Sequence, residues 1–119
     1  MATTGFLTTH ILDTARGCPA AGVIIELYRI DGGTRQHLTQ LTTNEDGRTD
    51  EPLIAKGELE AGLYELVFRI GDYFAGYAAE SSQPFLDLVP IQFGIDDAEA
   101  HYHVPLLASP FGYSTYRGS

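Results

Sequence analysis

Hydrophobic and polar positions alternate with a period of two along most of the chain. In residues 63–70, LYELVFRI, the side chains of Tyr64, Leu66, Phe68 and Ile70 share one face and predict a strand with a buried side. Residues 23–30, VIIELYRI, predict a second strand that stops at Asp31-Gly32-Gly33, a turn signal. Residues 35–43, RQHLTQLTT, then pair back as a hairpin. Residues 6–12 (FLTTHIL), 88–95 (LVPIQFGI), 102–108 (YHVPLLA) and 113–117 read as further strands. Residues 15–22 (ARGCPAAG) read as a loop and Asn44-Glu45-Asp46-Gly47 as a turn. Residues 48–60 are acidic and irregular, with one short strand near residues 53–55. The rhythm changes only in residues 72–81, DYFAGYAAES. There Tyr73, Tyr77 and Glu80 fall at helical spacing, and Asp72 suits the cap of a short helix. Pro90 and Pro105 cannot donate to a strand ladder, so each is expected at an edge or a bulge. Seven or eight strands and one short helix predict an all-β fold, an antiparallel sandwich of two packed sheets, with residues 1–119 forming one domain.

Charge narrows the partners. The net charge is −9, with only seven lysines and arginines among 119 residues. Phosphate backbones require a basic face, so a nucleic-acid partner is excluded, and an anionic membrane surface is disfavoured. An anion could still bind, but only where the few cations are focused in a pocket. No basic segment followed by an apolar run opens the chain, and no run approaches the roughly 20 apolar residues of a membrane helix. A cytoplasmic protein is the expectation. Cys18 is the one cysteine, so no disulfide within the chain can form, and its neighbours Gly17 and Pro19 mark it as an inert loop thiol.

Candidate chemistry gathers at the histidines. His10 lies mid-strand with Thr8 and Leu12 on its face, and His37 sits in a polar strand that solvent should reach. In AHYHVPLL, His101 and His103 point one way with Pro105, while Tyr102, Val104 and Leu106 form a core face. A pair at this spacing fits a solvated polar surface, acid–base work or a zinc-type site. Arg48, in NEDGRTDE, either balances the surrounding carboxylates or aims a permanently charged donor at a carbonyl or anionic ring. No phosphate-binding glycine loop, serine nucleophile elbow or dinucleotide fingerprint is present.

Three stretches together resemble the transthyretin-like family: LTTHILDTARGCPAAGVIIELYRI (residues 7–30), NEDGR (residues 44–48) and HYHVPLLASPFGYSTYRGS (residues 101–119). They are most similar to its enzymatic branch, the 5-hydroxyisourate hydrolases, and the YRGS ending is the most specific element. The hormone-carrying branch shares the fold but lacks that ending and the paired histidines. The resemblance implies a sandwich of two four-stranded antiparallel sheets with one short helix. It also implies a homotetramer, a dimer of dimers, with active sites in a channel between dimers. By matching motifs, it implies His10, Arg48 and His103 as catalytic residues. It implies Tyr116, Arg117 and Ser119 as substrate-binding residues, with a lesser part for His101. No metal or organic cofactor is implied. The alternative within the resemblance is a carrier that binds a small aromatic ligand in the same channel. Cys18 and Ala108 depart from the family's usual lysine and leucine, outside this residue set.

Overall fold

The structure, a computed structural model, describes residues 4–78 and 83–118. Strands β1 (Phe6–Thr8), β2 (Ile11–Asp13) and β3 (Cys18–Pro19) precede the longer β4 (Ile24–Asp31) and β5 (Thr34–Thr42). Strand β6 (Gly62–Arg69) runs directly into helix α1 (Ile70–Ala78). Strands β7 (Leu88–Ile95), β8 (His101–His103), β9 (Leu106–Ser109) and β10 (Gly112–Thr115) follow.

One sheet has the order β5-β4-β6-β7 and is antiparallel throughout. Its hairpin between β4 and β5 turns on two residues, Gly32 at φ 56° and Gly33 at φ 89°. Such left-handed values match the twist of the flanking strands, and glycine reaches them without a Cβ penalty. Pro90 sits in β7, an edge strand, as its missing N–H demands.

The second sheet has the order β10-β9-β2-β3. The architecture is the expected sandwich with its helix, but one seam departs from uniformly antiparallel pairing. Strands β2 and β9 are parallel, with Ile11 opposite Leu106. The same two chain segments also form the separate parallel pair β1–β8, with Phe6 opposite His101 and Thr8 opposite His103. Between the two pairings the ladder lapses at Thr9–His10 on one segment and Val104–Pro105 on the other. Pro105 has no N–H to give, which accounts for the lapse. The gap is spanned by Val104 N–H to Thr8 O at 3.0 Å, Leu106 N–H to His10 O at 2.9 Å and Thr9 Oγ1–H to Val104 O at 2.7 Å. The strands expected over residues 6–12 and 102–108 are thus each broken in two.

Two smaller expectations are corrected. Cys18 pairs with Asp13 in β3 where a loop was predicted, because residues 14–17 form a tight turn closed by Gly17 N–H to Asp13 O at 2.8 Å. The helix begins at Ile70, so Asp72 lies in its first turn and is not the cap. Gly71 N–H instead reaches Asp87 O at 2.9 Å, and the aspartate still complements the positive end of the helix dipole. The predicted helical residues 79–81 fall outside the described residues. Near residues 53–55 only an isolated bridge between Leu7 and Ile54 forms.

Alternation delivers the core as predicted. Tyr64, Leu66, Phe68 and Ile70 are buried in one cluster with Leu7, Ile11, Ile25, Leu27, Tyr102, Val104, Leu106 and Ala108. Each large apolar side chain taken from water there contributes about 1.5–3 kcal/mol. Buried Asp13 ties the helix to β2: its carboxylate accepts the Tyr73 hydroxyl at 2.8 Å and the N–H groups of Ala15 and Arg16 at 3.0 and 2.9 Å. Burial, and then the adjoining Asp13 carboxylate, push the Tyr73 phenol above its ordinary pKa. Among the described residues no helix is long and apolar enough to cross a membrane.

Candidate active site

The parallel β1–β8 pair places Thr8 directly opposite His103 and Phe6 opposite His101. Both histidines are half-buried on the side of β8 away from the core, as the alternation predicted. The Phe6 ring stacks on His101 with centroids 4.0 Å apart and planes within 8°. Thr8 Oγ1 lies 2.7 Å from His101 Nε2 and 2.8 Å from His103 Nδ1, so one hydroxyl joins the two rings.

Arg48 faces them from the loop after β5. Asn44 shapes that loop: its side-chain oxygen accepts the Asp46 and Arg48 N–H groups at 2.9 and 3.3 Å, and its amide donates to Asp50 at 2.9 Å. Arg48 forms no ion pair within 4.0 Å among the described residues. With Thr8, Thr9, His101, His103, Asp50 and Glu51 it lines a cleft of about 460 Å³.

His10 sits at the lapse between β1 and β2, near enough for its ring to act on His103 electrostatically. Burial, then the Arg48 guanidinium, then the rings of His101 and His10, all push the His103 imidazole below its ordinary pKa. His103 is therefore neutral near pH 7, the form that can take a proton. No group of three or more metal-ligating side chains converges among the described residues. His37 lies elsewhere, exposed on β5 with its Nε2 3.5 Å from Glu26.

The tail divides between two places. Gly118 returns to the histidines, its N–H donating to His103 O at 2.7 Å. A Cβ at residue 118 would stand 2.6 Å from His103 Cδ2, so the ring packs where only glycine fits. Tyr116 and Arg117 do not line the histidine cleft in the protomer. They border a second cavity of about 300 Å³ with Phe93, Tyr102 and Thr115, and the Arg117 guanidinium lies 4.2 Å above the Tyr102 ring. Ser119 falls outside the described residues.

Sequence reasoning missed Thr8 as a partner of both histidines and the tight fit of Gly118 on His103. The alternation put Thr8 on the face of His10, but only the parallel register shows which residue lies opposite.

The HIUase/Transthyretin family model matches residues 7–118. The chain is 57% identical over 113 residues to the 5-hydroxyisourate hydrolase of Deinococcus radiodurans, covering 95% of each chain. It is 60% identical over 116 residues to that of Mesorhizobium japonicum, covering 97% of this chain and 93% of the relative. Sea bream transthyretin in complex with thyroxine has the same fold at a TM-score of 0.83 and 27% identity, over 94% of this chain and 93% of that one. The chain belongs to the HIUase/transthyretin family.

Proposed function

We propose that the protein hydrolyses 5-hydroxyisourate, opening its six-membered ring at an acyl C–N bond to give 2-oxo-4-hydroxy-4-carboxy-5-ureidoimidazoline in urate catabolism. The observation that carries this reading is a half-buried His103 in one cleft with Arg48, its pKa held below the ordinary imidazole value by burial and then by that guanidinium. His103 takes a proton from the attacking water, and His10 orients the water or the carbonyl. Arg48 stabilises charge developing on the carbonyl oxygen, worth on the order of 3 kcal/mol for a well-placed donor. The imidazolium then returns its proton to the leaving ring nitrogen. The histidines and Arg48 give the cleft a polar wall, which suits a ureide better than the aromatic ligand of a carrier.

A tetramer with inter-subunit sites is part of the same proposal. All four residues of β10 are exposed at a sheet edge, and Phe111, Phe85 and Tyr116 are exposed by 78%, 73% and 60%. Burying that surface against further copies would bring Tyr116 and Arg117 to the channel. Ser119 follows Gly118, which already touches His103, and we assign it to substrate binding with His101. The free thiol of Cys18 suits a reducing compartment, and we place the enzyme in the cytoplasm.

The test is to generate 5-hydroxyisourate with urate oxidase and follow its ultraviolet decay. Micromolar protein should accelerate the decay well beyond the spontaneous rate. Decay at the spontaneous rate would reject the proposed activity.

A further inference from the structure

Thr8 occupies a position with a simple proton count. A hydroxyl has one proton to donate and lone pairs to accept with. Between two ring nitrogens at 2.7 and 2.8 Å it can donate to only one, so at most one facing nitrogen can be bare without facing a lone pair. The heavy atoms have little freedom. Phe6 stacks on His101, Gly118 blocks the far edge of His103, and a β-branched threonine has few χ1 choices. What can move is the set of protons.

We infer that Thr8 is a positioning residue that fixes the tautomers of His101 and His103 and lets them share the proton taken from water. This deepens the proposed hydrolysis and rests on it. In the resting arrangement His103 Nδ1–H donates to Thr8 Oγ1, and the Thr8 hydroxyl donates to His101 Nε2. That leaves His103 Nε2 bare as the base. Water gives its proton to His103 Nε2. The Nδ1 proton then passes to Thr8 as the Thr8 proton passes to His101 Nε2. His101 ends as the imidazolium, His103 ends neutral with its proton on Nε2, and Thr8 regains a proton. The charge has moved two residues along β8, from His103, which Arg48 disfavours as a cation, to His101. Reversal of the same steps delivers the proton to the leaving nitrogen.

The groups facing His103 are His101 on its own strand, His10 at the break between β1 and β2, and Arg48. Asp50 and Glu51 line the same cleft. None of them is within hydrogen-bond distance of Nδ1 in place of Thr8, so the oxygen of Thr8 is the group that can steady a charged His103 at that atom.

The experiment compares wild type, Thr8→Val and Thr8→Ser. Valine keeps the shape and removes the hydroxyl; serine restores it. Thr8→Val should lower kcat about 10²-fold, at the low end of what a positioned proton transfer supplies, with KM little changed. It should also move the acidic limb of the rate profile to lower pH, because the charged form of His103 loses an acceptor. Thr8→Ser should recover the rate and the limb. Adding Thr8→Val to His101→Phe should cost little more, since both cut one proton path. A Thr8→Val enzyme with the wild-type kcat and profile would overturn the inference, as would fully additive losses. A measurement on the wild-type protein alone stands apart from turnover and from any folding defect in a variant. Nitrogen-15 shifts of the histidine rings should show His103 protonated at Nδ1, and protonation at Nε2 in the neutral ring would overturn it. If wild type shows the Nδ1 tautomer but does not hydrolyse 5-hydroxyisourate, the proposed function fails and the tautomer assignment survives.

Discussion

The two sheets handle polar side chains in opposite ways. In the regular sheet every strand is antiparallel, and the face away from the core carries paired charges. Arg35 reaches Glu65 at 3.3 Å, Gln92 donates to Glu65 at 3.1 Å, and Glu26 takes both His37 and Arg69. These side chains are held together by cross-strand register. On the other side, the parallel seam made by β1–β8 and β2–β9 is interrupted at His10 and Pro105, and the histidines of β8 lie beside a cleft. His101 and His103 meet on a neutral hydroxyl, and the nearby guanidinium of Arg48 disfavours protonation of His103. Regularity uses up polar groups; the interruption leaves them available.

The contrast can be strained from both sides. The largest expected effect is on stability: Leu66→Ala, at a fully buried position of β6, should cost about 2–5 kcal/mol by chemical denaturation while activity per folded molecule holds. Loss of turnover per folded molecule would show that the regular sheet is not merely a scaffold. Arg48→Ala should slow hydrolysis on the order of 10²-fold, the weight of one well-placed donor. It should also shift the acidic limb of the profile. Arg48 holds the His103 pKa down, so its removal lets that pKa rise, and the limb should move to higher pH. The direction is opposite to that expected for Thr8→Val, which separates the two roles. Burial remains the larger cause of the lowered pKa, so the limb should stay at or below the ordinary imidazole range near pH 6.5.

Gly118→Ala pushes a methyl against His103 Cδ2 and should cost up to about 10²-fold in kcat through displacement of the ring, with thermal stability nearly unchanged. Tyr73→Phe removes one of three hydrogen bonds to buried Asp13 and should cost about 1 kcal/mol of stability with no change in rate.

The sequence was most legible where one rule governed many residues. Period-two alternation identified the buried face of β6 and the strands β4 and β7, and the two glycines of residues 32–33 marked the hairpin. It also put His101 and His103 on the side away from the core. The breaks in the seam were less legible, because alternation continues through Thr9–His10: Thr9 is buried and His10 is partly exposed, as in an unbroken strand. Only Pro105 signalled a lapse. The Thr8 bridge depends on parallel pairing between segments some ninety residues apart, and no local pattern encodes such a register. The tail shows a different limit. The motif joined Tyr116, Arg117 and Ser119 to one site, but among the described residues of the tail Gly118 reaches His103, while Tyr116 and Arg117 border the cavity beside Tyr102.

The most direct measurement compares one histidine from each sheet. His103→Gln and His37→Gln are assayed on 5-hydroxyisourate generated in place, with ultraviolet decay as the readout and circular dichroism to check folding. His37→Gln removes an exposed contact with Glu26 and should change stability by less than about 0.5 kcal/mol and the rate not at all. His103→Gln should remain folded and lose about 10²- to 10⁴-fold in rate, the contribution of a general base. Equal rates in the two variants would contradict the assignment of the chemistry to the interrupted seam.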